Sequence, residues 1–130
     1  MDRERELTGL KKCLQKHREA GRILIAMLYG SFASGSPHCR SDIDLGLYLA
    51  AGNESEELKV IDEILMSTER PVSILRLDDD EESPLVVQEA LKGIRLVEPD
   101  GETLYRIYQR VLHECEEIRF RKELKHGSHG

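Results

Sequence analysis

Apolar positions along this chain follow two rhythms, one helical and one extended. From about Arg5 to Glu19, Leu7, Leu10, Leu14 and His17 fall on one helical stripe, which predicts a helix ended by Gly21. Ile23 to Tyr29 is an apolar run of strand length between Gly21 and Gly30. Asp42 to Leu49 alternates strictly, with Ile43, Leu45, Leu47 and Leu49 on one face and Asp42, Asp44, Gly46 and Tyr48 on the other. Asn53 with Glu56 three residues on reads as an Asx version of the capping box. The helix it opens is expected to turn Leu58, Ile61, Ile64 and Leu65 to the core, and Glu69-Arg70-Pro71 stops it. Val72 to Leu77 predicts a third strand. Ser83-Pro84 reads as an N-cap with proline in the first helical position, Gly93 as the matching stop, and Ile94 to Val97 as a short last strand. After Pro99-Asp100-Gly101, the positions Leu104, Ile107, Tyr108, Val111, Leu112, Cys115 and Ile118 predict a long C-terminal helix. Core packing accounts for most of that stripe, and its distal part, with Tyr105 or Phe120, is available to a partner.

Short connections, with no repeat, linker or low-complexity segment, predict one α/β domain over residues 1–125 and a disordered tail over 126–130. A chain of 130 residues buries roughly two-thirds of its unfolded surface, enough for a core without staples. No apolar run approaches the ~20 residues of a membrane span, and no signal-peptide pattern follows Met1, so a cytoplasmic protein is expected. Cys13, Cys39 and Cys115 are odd in number and widely spaced, which reads as free thiols rather than a disulfide or zinc framework. The net charge of −6 argues against a nucleic-acid partner, because such binding gains from neutralising phosphates. The one basic cluster, Arg119, Arg121, Lys122 and Lys125, suits the C-terminal end of a helix dipole.

Candidate chemistry lies on the polar face of the alternating strand. Asp42 and Asp44 are two residues apart on a strand, so they share a face with Cα atoms ~6.5–7 Å apart. Two neighbouring carboxylates repel each other unless a cation joins them, and hard divalent cations such as Mg²⁺ take oxygen ligands of this kind. Alone, such a pair suits a metal site and a solvated face equally well. The segment upstream shifts the balance. Gly30-Ser31 follows an apolar strand directly and opens a Gly/Ser-rich turn, where backbone N–H groups and the Ser31 hydroxyl can hold a phosphate. A phosphate cradle beside a metal-binding acid pair is what handling a nucleoside triphosphate requires.

The run Leu28-Tyr29-Gly30-Ser31-Phe32-Ala33-Ser34-Gly35, followed by Ser41-Asp42-Ile43-Asp44-Leu45, resembles the signature of the DNA polymerase β-like nucleotidyltransferase superfamily. Its smallest branch, the minimal nucleotidyltransferase (MNT) proteins, is the most similar, and the likeness extends over nearly the whole chain. The resemblance implies an α/β (α+β) fold with a small mixed sheet of about four strands flanked by helices. It implies that Gly30, Ser31 and Ser41 bind the nucleotide, that Asp42 and Asp44 are catalytic and hold Mg²⁺, and that ATP is the donor of an AMP group. It also implies a partner, a HEPN-type toxin that this protein would modify and neutralise as antitoxin. A homo-oligomer stays open.

This chain departs from the family's pattern in two respects that bear on activity. Relatives carry a third acid on the next strand, in a pattern like Val-Asp-Leu-Val-Asp-Leu, whereas here the segment is Val72-Ser73-Ile74-Leu75-Arg76-Leu77. Ser73 stands where the third carboxylate is expected, and Ser34 where many relatives have arginine. Asp78 falls on the wrong face to compensate if the strand stays regular. Two readings follow: an active Mg²⁺-dependent nucleotidyltransferase, or a catalytically impaired module that neutralises its partner by contact alone. Transfer to RNA or to a small molecule is a weaker third.

Overall fold

The structure, a computed structural model, describes residues 3–30 and 42–127, and the side-chain surroundings of 7–30 and 42–118. Among these residues the elements run α1 (Arg3–Glu19), β1 (Ile23–Tyr29), β2 (Ile43–Leu49), α2 (Glu54–Met66), β3 (Val72–Arg76), α3 (Pro84–Leu91), β4 (Ile94–Arg95) and α4 (Gly101–Gly127). The strands form one mixed sheet in the order β3-β2-β1-β4. β1 pairs antiparallel with β2 and with β4, and β2 pairs parallel with β3. The expected mixed four-stranded sheet flanked by helices, with a long C-terminal helix, is therefore present.

Two helical layers sandwich this sheet. On one face Leu7, Leu10 and Leu14 of α1 and Val60 and Ile64 of α2 meet Ala26, Leu28, Ile43, Leu45, Leu47 and Leu49. On the other face Val87, Ala90 and Leu91 of α3 and Leu104, Ile107 and Val111 of α4 meet Ile25, Met27, Leu75 and Leu77. An irregularity in the β1–β2 register between Ile23 and Ile25 lets these two isoleucines serve opposite faces. Gly21, at φ +77°, ends α1 in the left-handed conformation that glycine adopts without penalty.

Several expectations hold in detail and others need correction. Asn53 caps α2, its Oδ1 accepting from the Glu56 amide at 2.9 Å, but the Glu56 carboxylate reaches the amide of Gly52 rather than Asn53. Of the four residues expected to face the core, Ile64 is fully buried and Ile61 packs against the cluster, but Leu58 and Leu65 are 61% and 41% exposed, and Val60 is buried in their stead. Both sets obey helical spacing, and the choice falls to the side where α1 and the sheet offer apolar surface. Leu112 is likewise half exposed, one residue past the buried Val111. Ser83 makes no side-chain capping bond; its carbonyl accepts from the Val87 amide, and Pro84 has no N–H to satisfy. Gly93 is needed for a different reason than a helix stop, since a Cβ there would collide with the backbone carbonyl of Leu28. β4 is only two residues long, although Leu96 extends the pairing through its amide to the Ala26 carbonyl at 2.9 Å. The C-terminal helix runs to Gly127, and residues 128–130 lie outside the described residues.

Candidate functional site

The polar face of β2 lies on the α3/α4 side of the sheet, and only its middle is covered. At Gly46 the Ala90 Cβ would sit 3.2 Å from an added Cβ and a Leu77 methyl 3.5 Å, so α3 lies directly against the strand. Two residues upstream Asp44 is half-buried, and Asp42 beyond it is exposed. The strand thus passes from a packed interior to solvent over one alternation, and both aspartates stand at the open end.

The neighbours of Asp44 follow from strand register. Across the antiparallel pair it faces Tyr29, the last residue of β1, and across the parallel pair it faces Ser73 of β3. Gly30 follows Tyr29 with φ +76°. The positive φ favours glycine, and a Cβ at Gly30 would overlap Oδ2 of Asp44, so the β1 terminus lies directly against that carboxylate. Gly30 and the Asp pair, separated by a dozen residues of chain, are thereby brought to one place. Ser31 and Ser41, the other expected nucleotide-binding residues, lie outside the described residues, as does Ser34.

Among the described residues, the electrostatics of this corner are those of an acid pair whose charges oppose each other. The Asp44 carboxyl is held above the usual carboxylate range, first by burial and then by the charge of Asp42. Both causes act in the same direction, and a divalent cation between the carboxylates would reverse the second. Tyr29 is also pushed up, first by burial and then by the charges of Asp44 and Glu82, so its phenol stays protonated.

Ser73 is exposed and sits directly beside Asp44. No carboxylate of the described residues replaces it there. Asp78 turns instead to Arg76, whose Nε and Nη2 donate to its two carboxylate oxygens at 3.0 and 2.7 Å. Arg76 also lies 3.4 Å from Glu57 of α2, on the sheet face opposite the Asp pair. Asp80 pairs with Arg110 of α4 at 2.6 Å, and the Asp79 carboxylate accepts from the Glu81 amide at 2.9 Å. Asp78, Asp79 and Asp80 are therefore engaged within the turn and with α4, while the charge of Glu82 is felt at Tyr29.

A second cluster, which the cysteine spacings did not suggest, lies on the α1/α2 side. The ligand atoms of Cys13, His17 and Glu63 are all within 4.8 Å of one another. Cys13 and His17 are one helical turn apart on α1, and Glu63 comes from α2. Only their separation along the chain hid this cluster from a reading by spacing. Among the described residues no helix is long and apolar enough to cross a membrane.

The chain matches the family described as Polymerase beta, Nucleotidyltransferase over residues 9–102. No curated protein matches it in sequence. Solved structures with similar folds include a toxin–antitoxin crystallised with AMP-PNP, at TM-score 0.66 and 13% identity, covering 91% of this chain and 96% of that one. A second is a toxin–antitoxin mutant, MntA-HpeT, in which two aspartates two positions apart are changed to glutamate. It matches at TM-score 0.67 and 12% identity over 98% of both chains. A third is a tri-AMPylated Shewanella oneidensis HEPN toxin in complex with MNT antitoxin, at TM-score 0.63 and 11% identity over 98% of both chains.

Proposed function

Because this chain belongs to the polymerase β nucleotidyltransferase family, we propose that it is an MNT-type antitoxin that transfers AMP from ATP to a HEPN-type toxin in a Mg²⁺-dependent reaction. The observation that carries this reading is the meeting of Gly30 with the Asp42/Asp44 pair at the open end of the sheet. The fold is shared with chains from toxin–antitoxin structures that hold AMP-PNP or an AMPylated toxin, which favours ATP as donor and a toxin side chain as acceptor.

The donor set suits the metal. Two carboxylates on adjacent same-face positions offer hard oxygen ligands, and their mutual repulsion is relieved by a divalent cation. Asp42 and Asp44 would hold it, and bound there it supplies charge neutralisation for the phosphates and the leaving pyrophosphate. Gly30 gives the backbone the close approach that phosphate binding needs, with Ser31 and Ser41 adding hydroxyl donors. Asp44, braced against Gly30 and between Tyr29 and Ser73, is the fixed member of the pair. Asp42, exposed, is the adjustable one.

Ser73 favours a second reading. In a reaction where one ion organises the triphosphate and another activates the attacking oxygen, the third carboxylate serves the second ion. A neutral hydroxyl beside Asp44 is a poor substitute. The site then binds nucleotide while transferring slowly or not at all, and the protein neutralises its partner by contact.

Isothermal titration of ATP into the protein with Mg²⁺, beside the Asp42→Asn/Asp44→Asn double variant, tests the common premise. Mg²⁺-dependent binding by the wild type that the double variant lacks is the expected result, and absence of binding by both removes the nucleotide site. Labelled-ATP transfer to a co-expressed HEPN-type toxin then separates the two readings: label on the toxin supports the enzyme, and neutralisation without label supports the binding module.

A further inference from the structure

We infer that Cys13, His17 and Glu63 form a second metal site, for a borderline-soft divalent cation of the Zn²⁺ class, on the sheet face opposite the Asp42/Asp44 pair. The three side chains offer sulfur, nitrogen and oxygen from two helices, with every ligand atom within 4.8 Å of the others. Ligands held at ~2.0–2.3 Å around a tetrahedral cation stand roughly 3.3–3.8 Å apart, so the entering ion must part Glu63 Oε2 from His17 Nε2, now 2.5 Å away, and draw the most widely spaced atoms together. Sulfur with imidazole selects Zn²⁺ or Co²⁺ over Mg²⁺, so this site and the Asp pair would not compete for one ion. His17 is 2% exposed, which fixes its ring, whereas the Glu63 side chain is about half exposed and can adjust. A cavity of about 200 Å³, lined by His17, Arg22, Glu56, Lys59, Val60 and Glu63, leads to the cluster from solvent and gives the ion a way in.

The hydrogen bonds around His17 say what binding must change. An Arg22 guanidinium nitrogen lies 3.1 Å from Nδ1 and can only donate, so Nδ1 is the acceptor and Nε2 carries the proton. Nε2 in turn donates to Glu63 Oε2 at 2.5 Å, an oxygen also approached by Lys16 Nζ at 3.3 Å. A cation takes the Nε2 lone pair, so the single imidazole proton moves to Nδ1 and Arg22 must withdraw. The Cys13 thiol proton leaves to solvent as the thiolate binds, and Lys16 remains beside the carboxylate as its counter-charge. Arg22, half-buried at the cavity rim, is therefore a brake on metal binding.

Co²⁺ is the probe, because a thiolate ligand gives it a charge-transfer band in the near ultraviolet. The wild type is expected to show that band saturating at one equivalent and bleaching when Zn²⁺ is added. Cys13→Ser abolishes it, while Cys13→Ser protein is checked for folding by its far-ultraviolet circular dichroism. Glu63→Gln, which keeps an oxygen to accept from His17 Nε2–H and is checked for folding in the same way, weakens Co²⁺ binding by about tenfold or more. Arg22→Gln, whose side-chain carbonyl can accept from Nδ1–H, tightens it by about tenfold. The Asp42→Asn/Asp44→Asn double variant keeps the band, which separates this site from the nucleotide site. No saturable band, a band that survives in Cys13→Ser, or one indifferent to both Glu63→Gln and Arg22→Gln overturns the inference and leaves the cluster as a hydrogen-bond network.

Discussion

The two faces of β2 show opposite uses of one strand. Ile43, Leu45, Leu47 and Leu49 point to α1 and α2 and are buried at every position, with 0–5% of their surface exposed. Asp44, Gly46 and Tyr48 point the other way, and only Gly46 is buried. On the first face uniform burial gives the strand its place in the sheet. On the second, the apolar cover stops at Gly46, and beyond it burial and the charge of Asp42 together hold the Asp44 carboxyl above its ordinary range. Ion pairs elsewhere are matched: Arg76 answers Asp78 and Glu57, and Arg110 answers Asp80. Among the described residues, burial and the charge of Asp42 both act against the Asp44 carboxylate, and that marks the place where a cation is expected.

The comparison can be broken first on the buried face. Leu45→Ala removes a fully buried side chain at the centre of the α1/α2 core, leaving a cavity under two helices. The expected loss is about 3 kcal/mol or more in urea unfolding at unchanged m-value. An effect below about 1 kcal/mol would mean that this face is not packed as described.

The difference between the faces also decides what could be read in advance. The stripe of Leu7, Leu10, Leu14 and His17 and the alternation from Asp42 to Leu49 were legible because one periodicity admits one buried face. On α2 the expected stripe of Leu58, Ile61, Ile64 and Leu65 holds at Ile64 and in part at Ile61, while Val60 replaces Leu58 and Leu65, a rotation of the buried face that only the position of α1 sets. Ser83 and Pro84 stand at the expected N-cap and first helical positions, and what the residue types did not reveal is that the Ser83 hydroxyl makes no capping bond. For the candidate site, the same-face placement of Asp42 and Asp44 came from period alone, and the contact of Gly30 with Asp44 needed the β1–β2 register. The Cys13, His17 and Glu63 cluster was illegible because Glu63 lies 46 residues beyond His17, and no local pattern reports that α1 and α2 adjoin.

On the open face, the position beside Asp44 offers a gain rather than a loss. Ser73→Asp adds a carboxylate at an exposed site in direct register with Asp44. If a missing third acid limits the chemistry, the variant transfers AMP to its partner about tenfold faster or more, a difference of ~1.4 kcal/mol in barrier. Its stability without Mg²⁺ should fall slightly, because a third negative charge joins two. Faster transfer in the labelled-ATP assay supports the impaired-site reading, and an unchanged rate places the limit elsewhere.

The smallest effect sharpens the comparison most, because it reverses the usual sign of a mutation. Burial and Asp42 raise the Asp44 carboxyl above its ordinary 3.8, so the folded state binds that proton more tightly than the unfolded state does. Stability is then greatest with Asp44 protonated and declines as pH rises from about 3.8 through the folded-state value, staying at the lower level at neutral pH. Asp44→Asn keeps the shape and removes the charge, so at pH 7 without Mg²⁺ it should raise the Tm by roughly 1–3 °C while abolishing Mg²⁺-dependent ATP binding. Mg²⁺ with ATP should in turn raise the wild-type Tm and leave the variant unmoved, since only a state that binds ligand is stabilised by it. A variant less stable than the wild type at pH 7 would show that Asp44 supports the fold, and the contrast between the two faces of β2 would lose its meaning.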